Sequence, residues 1–175
     1  SILLLFLIVL IPFGLIFHMI YSNFYYSDVE KEIDELSTRY ANAMTSVEDT
    51  EILRMFVTLA AFTNNEIYII NDEGTIVTDS GITGIVTGEK ISEKEREQLQ
   101  NGEPIYKEYH FLPSTERYLV SGKPIFNESS FQGAIFVMSS LDAIDHSIAQ
   151  VRKLTLFASV IAFIIGAGFI FMLSR

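Results

Sequence analysis

The sequence predicts an α+β protein in which long N-terminal helices cover a five-stranded antiparallel sheet and two transmembrane helices flank the domain. Three observations predict this organisation. Residues 1–27 and 154–173 contain no Asp, Glu, Lys or Arg, whereas all 22 acidic residues lie between those two segments. Within the middle segment, helical periodicity comes first and five short β-rich runs follow. Because a single sheet cannot bury its apolar face alone, we expect the helices to pack on it.

Residues 1–21 and 154–174 are the predicted transmembrane helices. About 20 helical residues cover about 30 Å, which is the thickness of the hydrocarbon core. The first apolar run is longer than that of a cleaved signal peptide, and no Ala-x-Ala cleavage site follows it. In the second run, Ala158, Ala162 and Gly166 recur every four residues and form a face that another helix can approach closely. That helix is either the first span or a helix of a second copy.

Residues 22–63 are predicted to form the membrane-proximal and covering helices. An apolar seam with spacings of three and four residues runs through Val29, Ile33, Leu36, Tyr40, Ala43 and Val47. The seam is compatible with a helix that packs on the sheet and equally with a helix of a dimer interface. Fewer than three heptads are too few to distinguish these two alternatives. A second, shorter helix is expected over residues 51–62.

Residues 64–140 are predicted to form the sheet. The expected strands are residues 66–71, 75–79, 105–111, 117–126 and 131–140. The run Asp72-Glu73-Gly74 is turn chemistry, with Gly74 free to adopt positive φ, and it predicts a hairpin between the first two strands. Gly133 predicts a bulge or a tight entry into the last strand.

The remaining segments connect these elements. Residues 80–91 are expected to be a loop, and residues 92–100 a short helix. Ser92 is the predicted N-cap of that helix, and Glu95 completes a capping box. Residues 141–153 form a helical connector into the second span.

The composition excludes several classes of function. The chain has no Cys, so it forms no disulfide, thiolate metal site or cysteine nucleophile. Nine of the 12 basic residues are dispersed among an excess of acidic residues, which disfavours a nucleic-acid partner. Neither a phosphate-binding loop nor a nucleophile elbow is present, and His18, His110 and His146 are scattered. No catalytic activity is therefore expected within this chain.

Three stretches resemble a known family. They are residues 69–80 (IINDEGTIVTDS), residues 121–125 (SGKPI) and residues 132–137 (QGAIFV). In this order, between two spans, they resemble the extracytoplasmic single-Cache (PAS-like) sensor domains of bacterial two-component histidine kinases, particularly those of Gram-positive bacteria. Asn71 stands where the family usually has Asp, and we interpret it as a turn residue.

The resemblance implies the signal-sensing and signal-transmitting module of a cell-membrane histidine kinase, with two spans and the middle domain outside. It implies a homodimer, a small-molecule or protein signal, and no cofactor for this segment. Because the chain runs from Ser1 to Arg175, we expect it to be part of a longer protein. The missing region would bind ATP and act on a cytoplasmic response regulator. The alternatives are the ectodomain of a chemoreceptor or cyclic-dinucleotide enzyme, or a membrane-anchored protein-interaction or assembly domain.

Candidate ligand-binding residues are the polar and aromatic side chains of the late strands. They are Tyr106, His110, Arg117, Tyr118 and Lys123. Since domains of the resembled family often bind small organic anions, Arg117 and Lys123 are the expected charge partners. The alternative is ordinary surface charge on an exposed sheet face.

An acidic stretch near the first span offers a second, weaker possibility. Asp28, Glu32 and Glu35 are candidates for a weak divalent-cation site close to the lipid surface. The alternative interpretation is a solvated helix face, which is the more common origin of such charge runs.

Overall fold

The computed structural model describes residues 2–44, 47–82, 84–110 and 115–173. The chain divides into two compact units. The helical unit comprises Ser1–Ser27 and Ala143–Arg175, and the sheet unit comprises Asp28–Asp142.

The helical unit consists of parts of two long helices, α1 (Ile2–Ala43) and α4 (Leu141–Leu173). Both are long and apolar enough to cross a membrane. Only 0% and 6% of their most apolar windows are buried, so these side chains do not form the core of a folded domain. Within this unit the Tyr26 hydroxyl donates a hydrogen bond to the carboxylate of Asp145.

The sheet unit contains a five-stranded antiparallel sheet, which confirms the predicted fold class. Its strands are β1 (Glu66–Asn71), β2 (Ile76–Asp79), β3 (Ile105–His110), β4 (Arg117–Asn127) and β5 (Ser130–Ser140). They are arranged in the order β2-β1-β5-β4-β3, so that β5 lies at the centre. The predicted β2 began at Thr75, but that residue forms an isolated bridge with Lys90 instead. Phe111, the predicted end of β3, lies outside the described residues.

Two glycines have the backbone conformations that the sequence predicted. Gly74 has a φ of +80° in the β1–β2 hairpin, where its N–H donates to the Asn71 carbonyl at 3.0 Å. The Asn71 side chain accepts from the Thr75 N–H at 2.9 Å, which confirms its expected role in the turn. Gly133 has a φ of +141°, and a Cβ there would lie 2.1 Å from the carbonyl oxygen of Ile70. The β4–β5 register shifts beside Gly133, as a bulge requires.

One face of the sheet, which we call the helical face, is covered by α1 and α2 (Thr50–Phe62). Its buried core is formed by Ile33, Tyr40, Met44, Leu53, Phe56, Ala60, Ile67, Ile69, Ile125, Ile135 and Val137. The apolar seam of α1 therefore lies on the sheet, the first of the two predicted alternatives. The seam was expected to continue in one helix to Val47, but α1 ends at Ala43 because the chain turns into α2, which Asp49 caps. Val47 is buried in the same core beyond the helix end.

The opposite face, which we call the cavity face, is partly covered by Ile82, by residues 84–92 and by α3 (Glu93–Gln100). Its core contains Tyr68, Ile70, Leu99, Ile105, Val120, Phe136 and Met138. Ser92 caps α3 as predicted: its hydroxyl accepts from the Glu95 N–H at 3.3 Å and donates to the Glu95 carboxylate at 3.0 Å. The sequence did not predict a cover for this face.

Candidate ligand site on the sheet

The predicted ligand-binding residues are divided between the two faces of the sheet. Successive side chains of a strand point to opposite faces, and His110 on β3 pairs with Arg117 on β4. Tyr106, His110, Arg117 and Lys123 therefore point to the side of the helical face. Tyr118 points to the cavity face, where it is buried. The five residues thus do not form a single site.

On the helical face, two of these residues join a polar cluster with α1, which we call the α1 clamp (Asp34, Tyr106 and Lys123). The Lys123 ammonium lies 2.5 Å from the Asp34 carboxylate and 4.7 Å from the centre of the Tyr106 ring. The Tyr106 hydroxyl also donates a hydrogen bond to Asp34. Beside the clamp, the buried hydroxyls of Ser37 and Ser121 are hydrogen-bonded at 2.9 Å. The helix is thus held on the sheet by polar contacts of five side chains: Asp34 and Ser37 of α1, Tyr106 of β3, and Ser121 and Lys123 of β4.

The α1 clamp keeps Lys123 charged but occupies it with a carboxylate of the same chain. Hydrogen bonds from Lys123 and Tyr106 lower the pKa of Asp34. Burial lowers the pKa of Lys123, but its hydrogen bonds to Asp34 and Tyr106 outweigh this effect and leave that pKa raised. Lys123 is therefore charged and already paired with a carboxylate of its own chain. To bind an external anion as predicted, it would have to leave Asp34.

A cavity of about 610 Å³ lies on the cavity face, bounded by β3, α3 and residues 84–92. Its volume is in the range of small-molecule sites, which is about 300–1,000 Å³. The apolar part of the lining comes from Ile76, Ile85, Ile91 and Ile105. The polar part includes Tyr68, Lys94, Glu95, Lys107 and Tyr109. The cavity can therefore accommodate both an apolar group and charged groups.

Lys107 and Glu95 form an ion pair in the cavity lining, and each side chain is 23% exposed. The Lys107 ammonium lies 4.7 Å from the centre of the Tyr109 ring. Like Lys123, Lys107 is already paired within the chain, so a ligand carboxylate would have to replace Glu95 at Lys107, and a ligand ammonium would have to replace Lys107 at Glu95. The pair thus offers complementary partners to a small zwitterion or to a single charged group.

Tyr68 forms the floor of the cavity and is only 4% exposed. Its ring stacks on Phe136 with centroids 4.4 Å apart, which fixes the direction of the side chain. Among the described residues its hydroxyl has no hydrogen-bond partner. Burial, followed by the charges of Glu95 and Tyr109, raises the pKa of Tyr68, so the hydroxyl stays neutral. It is therefore a fixed hydrogen-bond donor without an acceptor.

Of the residues that line this cavity, Tyr106 is the one that the sequence predicted, although its side chain points to the helical face. The sequence prediction selected Tyr106 and His110 from β3, whereas Lys107 and Tyr109 alternate with them on the other face. The buried Ile105, which shares the face of Lys107, is the signal that could have identified these positions. Tyr68 lies within the apolar run of β1 and gave no signal of its own.

The other predicted sites are placed as follows. Asp28, Glu32 and Glu35 are exposed on α1, and Glu35 lies 3.8 Å from Arg39. Within the described part of the chain, no group of three or more His, Cys, Asp or Glu residues could hold a metal ion.

The small-residue face of α4 lies in the helical unit. Ala158 and Ala162 are exposed, and Gly166 is half-buried with open space where a Cβ would be. The helix contact predicted for this face remains a prediction.

The order β2-β1-β5-β4-β3, the long helix on one face and the cavity on the other define the fold of Cache (PAS-like) sensor domains. Solved structures share this fold at low sequence identity, as the resemblance in the sequence implied. No family model matches the chain, and no curated protein matches it.

Three of these structures illustrate the similarity. The extracellular domain of vpHK1S-Z8, a protein assigned as a histidine kinase, has a TM-score of 0.60 at 13% identity over 76% of this chain and 60% of its own. The ligand-binding domain of the Campylobacter jejuni chemoreceptor Tlp3, in complex with 4-methylisoleucine, has a TM-score of 0.55 at 10% identity over 73% of this chain. This chain spans 57% of the Tlp3 domain. The Escherichia coli DcuS sensor domain has a TM-score of 0.52 at 11% identity, over 69% of this chain and 97% of its own.

Proposed function

We propose that this chain is the extracytoplasmic signal-sensing and signal-transmitting module of a membrane receptor, and that its ligand binds in the cavity on the cavity face. The observation that carries the proposal is the cavity of about 610 Å³, in which the Tyr68 ring is fixed at the floor and its hydroxyl has no hydrogen-bond partner among the described residues. A hydroxyl that faces a cavity in this way can donate a hydrogen bond to a ligand or to water. The same fold occurs in sensor domains of receptors.

The membrane part of the proposal rests on α1 and α4. Their apolar windows have hydropathies of 1.6 and 1.8 and are almost entirely unburied. Side chains of this kind require a lipid environment or other helices. With two spans, the acidic sheet unit lies on one side of the membrane, which we propose is the outside.

The proposed ligand is a small molecule that carries a carboxylate, an ammonium group or both. Lys107 and the Tyr68 hydroxyl would bind the carboxylate, Glu95 would bind the ammonium group, and the isoleucines would contact an apolar side chain. A ligand of this class has been seen in the Tlp3 domain, which binds 4-methylisoleucine.

Transmission would begin at β3, because this edge strand has the cavity on one face and the α1 clamp on the other. Lys107 and Tyr109 line the cavity, while Tyr106 between them contacts Asp34 of α1. A ligand that moves β3 would therefore move Tyr106 and change its hydrogen bond with Asp34 of α1. Since α1 continues to Ile2 without a break, the helix would carry this change towards the membrane.

We propose a histidine kinase as the output, in a homodimer that binds ATP and phosphorylates a cytoplasmic response regulator. Structural similarity to the extracellular domain of vpHK1S-Z8 favours this output. A chemoreceptor is the second candidate, favoured by the similarity to Tlp3. Incubation of membranes that hold the complete protein with labelled ATP would distinguish them, because only the kinase would acquire a phosphohistidine.

The sensing proposal is tested by ligand screening of the chain in lipid nanodiscs. Amino acids and short carboxylates are screened by the shift of the melting temperature, and each hit is measured by calorimetry. Lys107→Met and Lys123→Met are matched variants, because each removes one paired ammonium from one face of the sheet. We expect the Lys107 variant to bind about tenfold or more weakly and the Lys123 variant to retain affinity within about twofold. Loss of binding only in the Lys123 variant would contradict the cavity and support the site predicted from the sequence.

A further inference from the structure

A second group of polar side chains lies on the cavity face at the end of the sheet where β5 passes into α4. Glu66 begins β1 and pairs with Met138 of β5, and Tyr118 on β4 pairs with Ser140, the last residue of β5. Because β1 and β4 are the two neighbours of β5, the side chains of Glu66 and Tyr118 approach each other across the end of the central strand.

The Tyr118 hydroxyl lies between two carboxylates. It donates a hydrogen bond to Glu116 at 2.8 Å and is also within hydrogen-bonding reach of Glu66. A hydroxyl has only one proton, so it cannot donate to both carboxylates at once. The Oε2 atom of Glu66 is buried and has no hydrogen-bond partner. The group therefore lacks one donor.

We propose that Glu66, Glu116 and Tyr118 form an acid-sensing site, in which uptake of one proton tightens the hold of β1 and β4 on the end of β5. The added proton supplies the missing donor: protonated Glu66 donates to Tyr118 or Glu116, and Tyr118 donates to Glu116. Two ionised carboxylates repel each other across β5, and protonation of one removes that repulsion. This input is separate from the ligand cavity and goes beyond the function proposed above.

The electrostatics of the group agree with this assignment. Burial, followed by the charge of Glu116, raises the pKa of Glu66 above its ordinary value of 4.5, and the hydrogen bond with Tyr118 opposes the shift. Among the described residues, Glu116 and Tyr118 are the groups that act on the Glu66 carboxylate, since Met138 and Ser140 of β5 are uncharged. Between the ordinary and the raised pKa the folded state binds more protons than the unfolded state. Stability therefore falls as the pH rises through this interval.

The test is hydrogen exchange of residues 138–142 in the chain held in lipid nanodiscs, without ligand, at about pH 5 and about pH 8. After correction for the intrinsic exchange rate, we expect slower exchange at the lower pH, where Glu66 is protonated. Glu66→Gln mimics the protonated form, so it should exchange slowly at both pH values. Glu108→Gln, which removes an exposed carboxylate on β3, is the matched control and should keep the wild-type response.

Tyr118→Phe provides a measurement that a purely structural role would not affect. Because the Tyr118 hydrogen bond lowers the pKa of Glu66, its removal should move the midpoint of the exchange response to higher pH. A pH response that persists in Glu66→Gln would overturn the proposal. So would a wild-type chain without a response, or an unchanged midpoint in Tyr118→Phe.

Discussion

The two faces of the sheet differ in how they use their polar groups. On the helical face, Lys123 and Tyr106 both bind the carboxylate of Asp34, and the buried hydroxyls of Ser37 and Ser121 are hydrogen-bonded to each other. On the cavity face, the hydroxyl of Tyr68 faces a cavity of about 610 Å³ without a partner among the described residues. A face whose polar groups are all paired within the chain holds a helix in place. A face that leaves a hydrogen-bond donor unpaired can bind a ligand through that donor.

The largest effect is expected from Gly133→Ala, which affects both faces. A Cβ at this position would lie 2.1 Å from the backbone oxygen of Ile70, and the φ of +141° is unfavourable for any residue with a side chain. Backbone atoms of β1 and β5 must separate, so we expect a loss of about 3 kcal/mol or more in the free energy of unfolding. Urea unfolding followed by tyrosine fluorescence measures it. A loss below about 1 kcal/mol would show that the β1–β5 contact is looser than described.

Gly122→Ala should affect only the cavity face. Its new Cβ would lie 2.5 Å from the Phe136 ring, on which Tyr68 stacks. Displacement of the ring should cost about 1–3 kcal/mol and weaken ligand binding, because Tyr68 moves with Phe136. The urea midpoint and the calorimetric affinity of a screened ligand are the two readouts. Destabilisation with unchanged affinity would separate Tyr68 from the ligand site.

Ser121→Ala is the counterpart on the helical face, one residue away in the same strand. It removes the hydrogen bond to Ser37, but the Ser37 hydroxyl keeps its bond to the carbonyl of Asp34 at 3.0 Å. We expect a loss of about 0.5–1.5 kcal/mol and unchanged ligand affinity. Ser37→Ala should cost more, about 1–3 kcal/mol, because it leaves the buried Ser121 hydroxyl unpaired. The opposite order would contradict the hydrogen-bond arrangement.

The smallest effect is the acid sensitivity of the α1 clamp. Because the pKa of Asp34 is lowered in the folded chain, its stabilising contribution is present above the ordinary value of 3.8 and is lost as the pH falls through the folded pKa. The carboxylate is 39% exposed, so solvent screening limits the contribution to about 1 kcal/mol or less. Melting temperatures at acid pH should fall less steeply for Asp34→Asn than for the wild type. Equal slopes would show that the pair with Lys123 contributes no net stability.

The same comparison shows what the sequence could predict. The bounds of β1 and β5 were predicted to within one residue, because a continuous apolar run bounded by turn residues marks each of them locally. The sequence did not predict which side chains of β3 point to the cavity, because this edge strand has polar side chains on both sides and, of its residues, only Ile105 is buried. The cavity itself was not predicted either, since residues 84–92 have no periodicity. The pair of Lys123 with Asp34 was not predicted either, because Asp34 is a helix residue distant in sequence. The capping of α2 by Asp49 was not among the predictions.

The most direct test of the account compares two buried tyrosines, one on each face, after removal of the hydroxyl alone. On the cavity face, Tyr68→Phe should leave the melting temperature of the ligand-free chain unchanged or higher, since the hydroxyl has no partner among the described residues, and should weaken ligand binding about tenfold. On the helical face, Tyr40→Phe removes the hydroxyl of a buried ring that packs on Phe56 and does not line the cavity, so it should leave affinity unchanged. A ligand that binds Tyr68→Phe as tightly as the wild type, and loses affinity in Tyr40→Phe, would contradict the assignment of sensing to the cavity face.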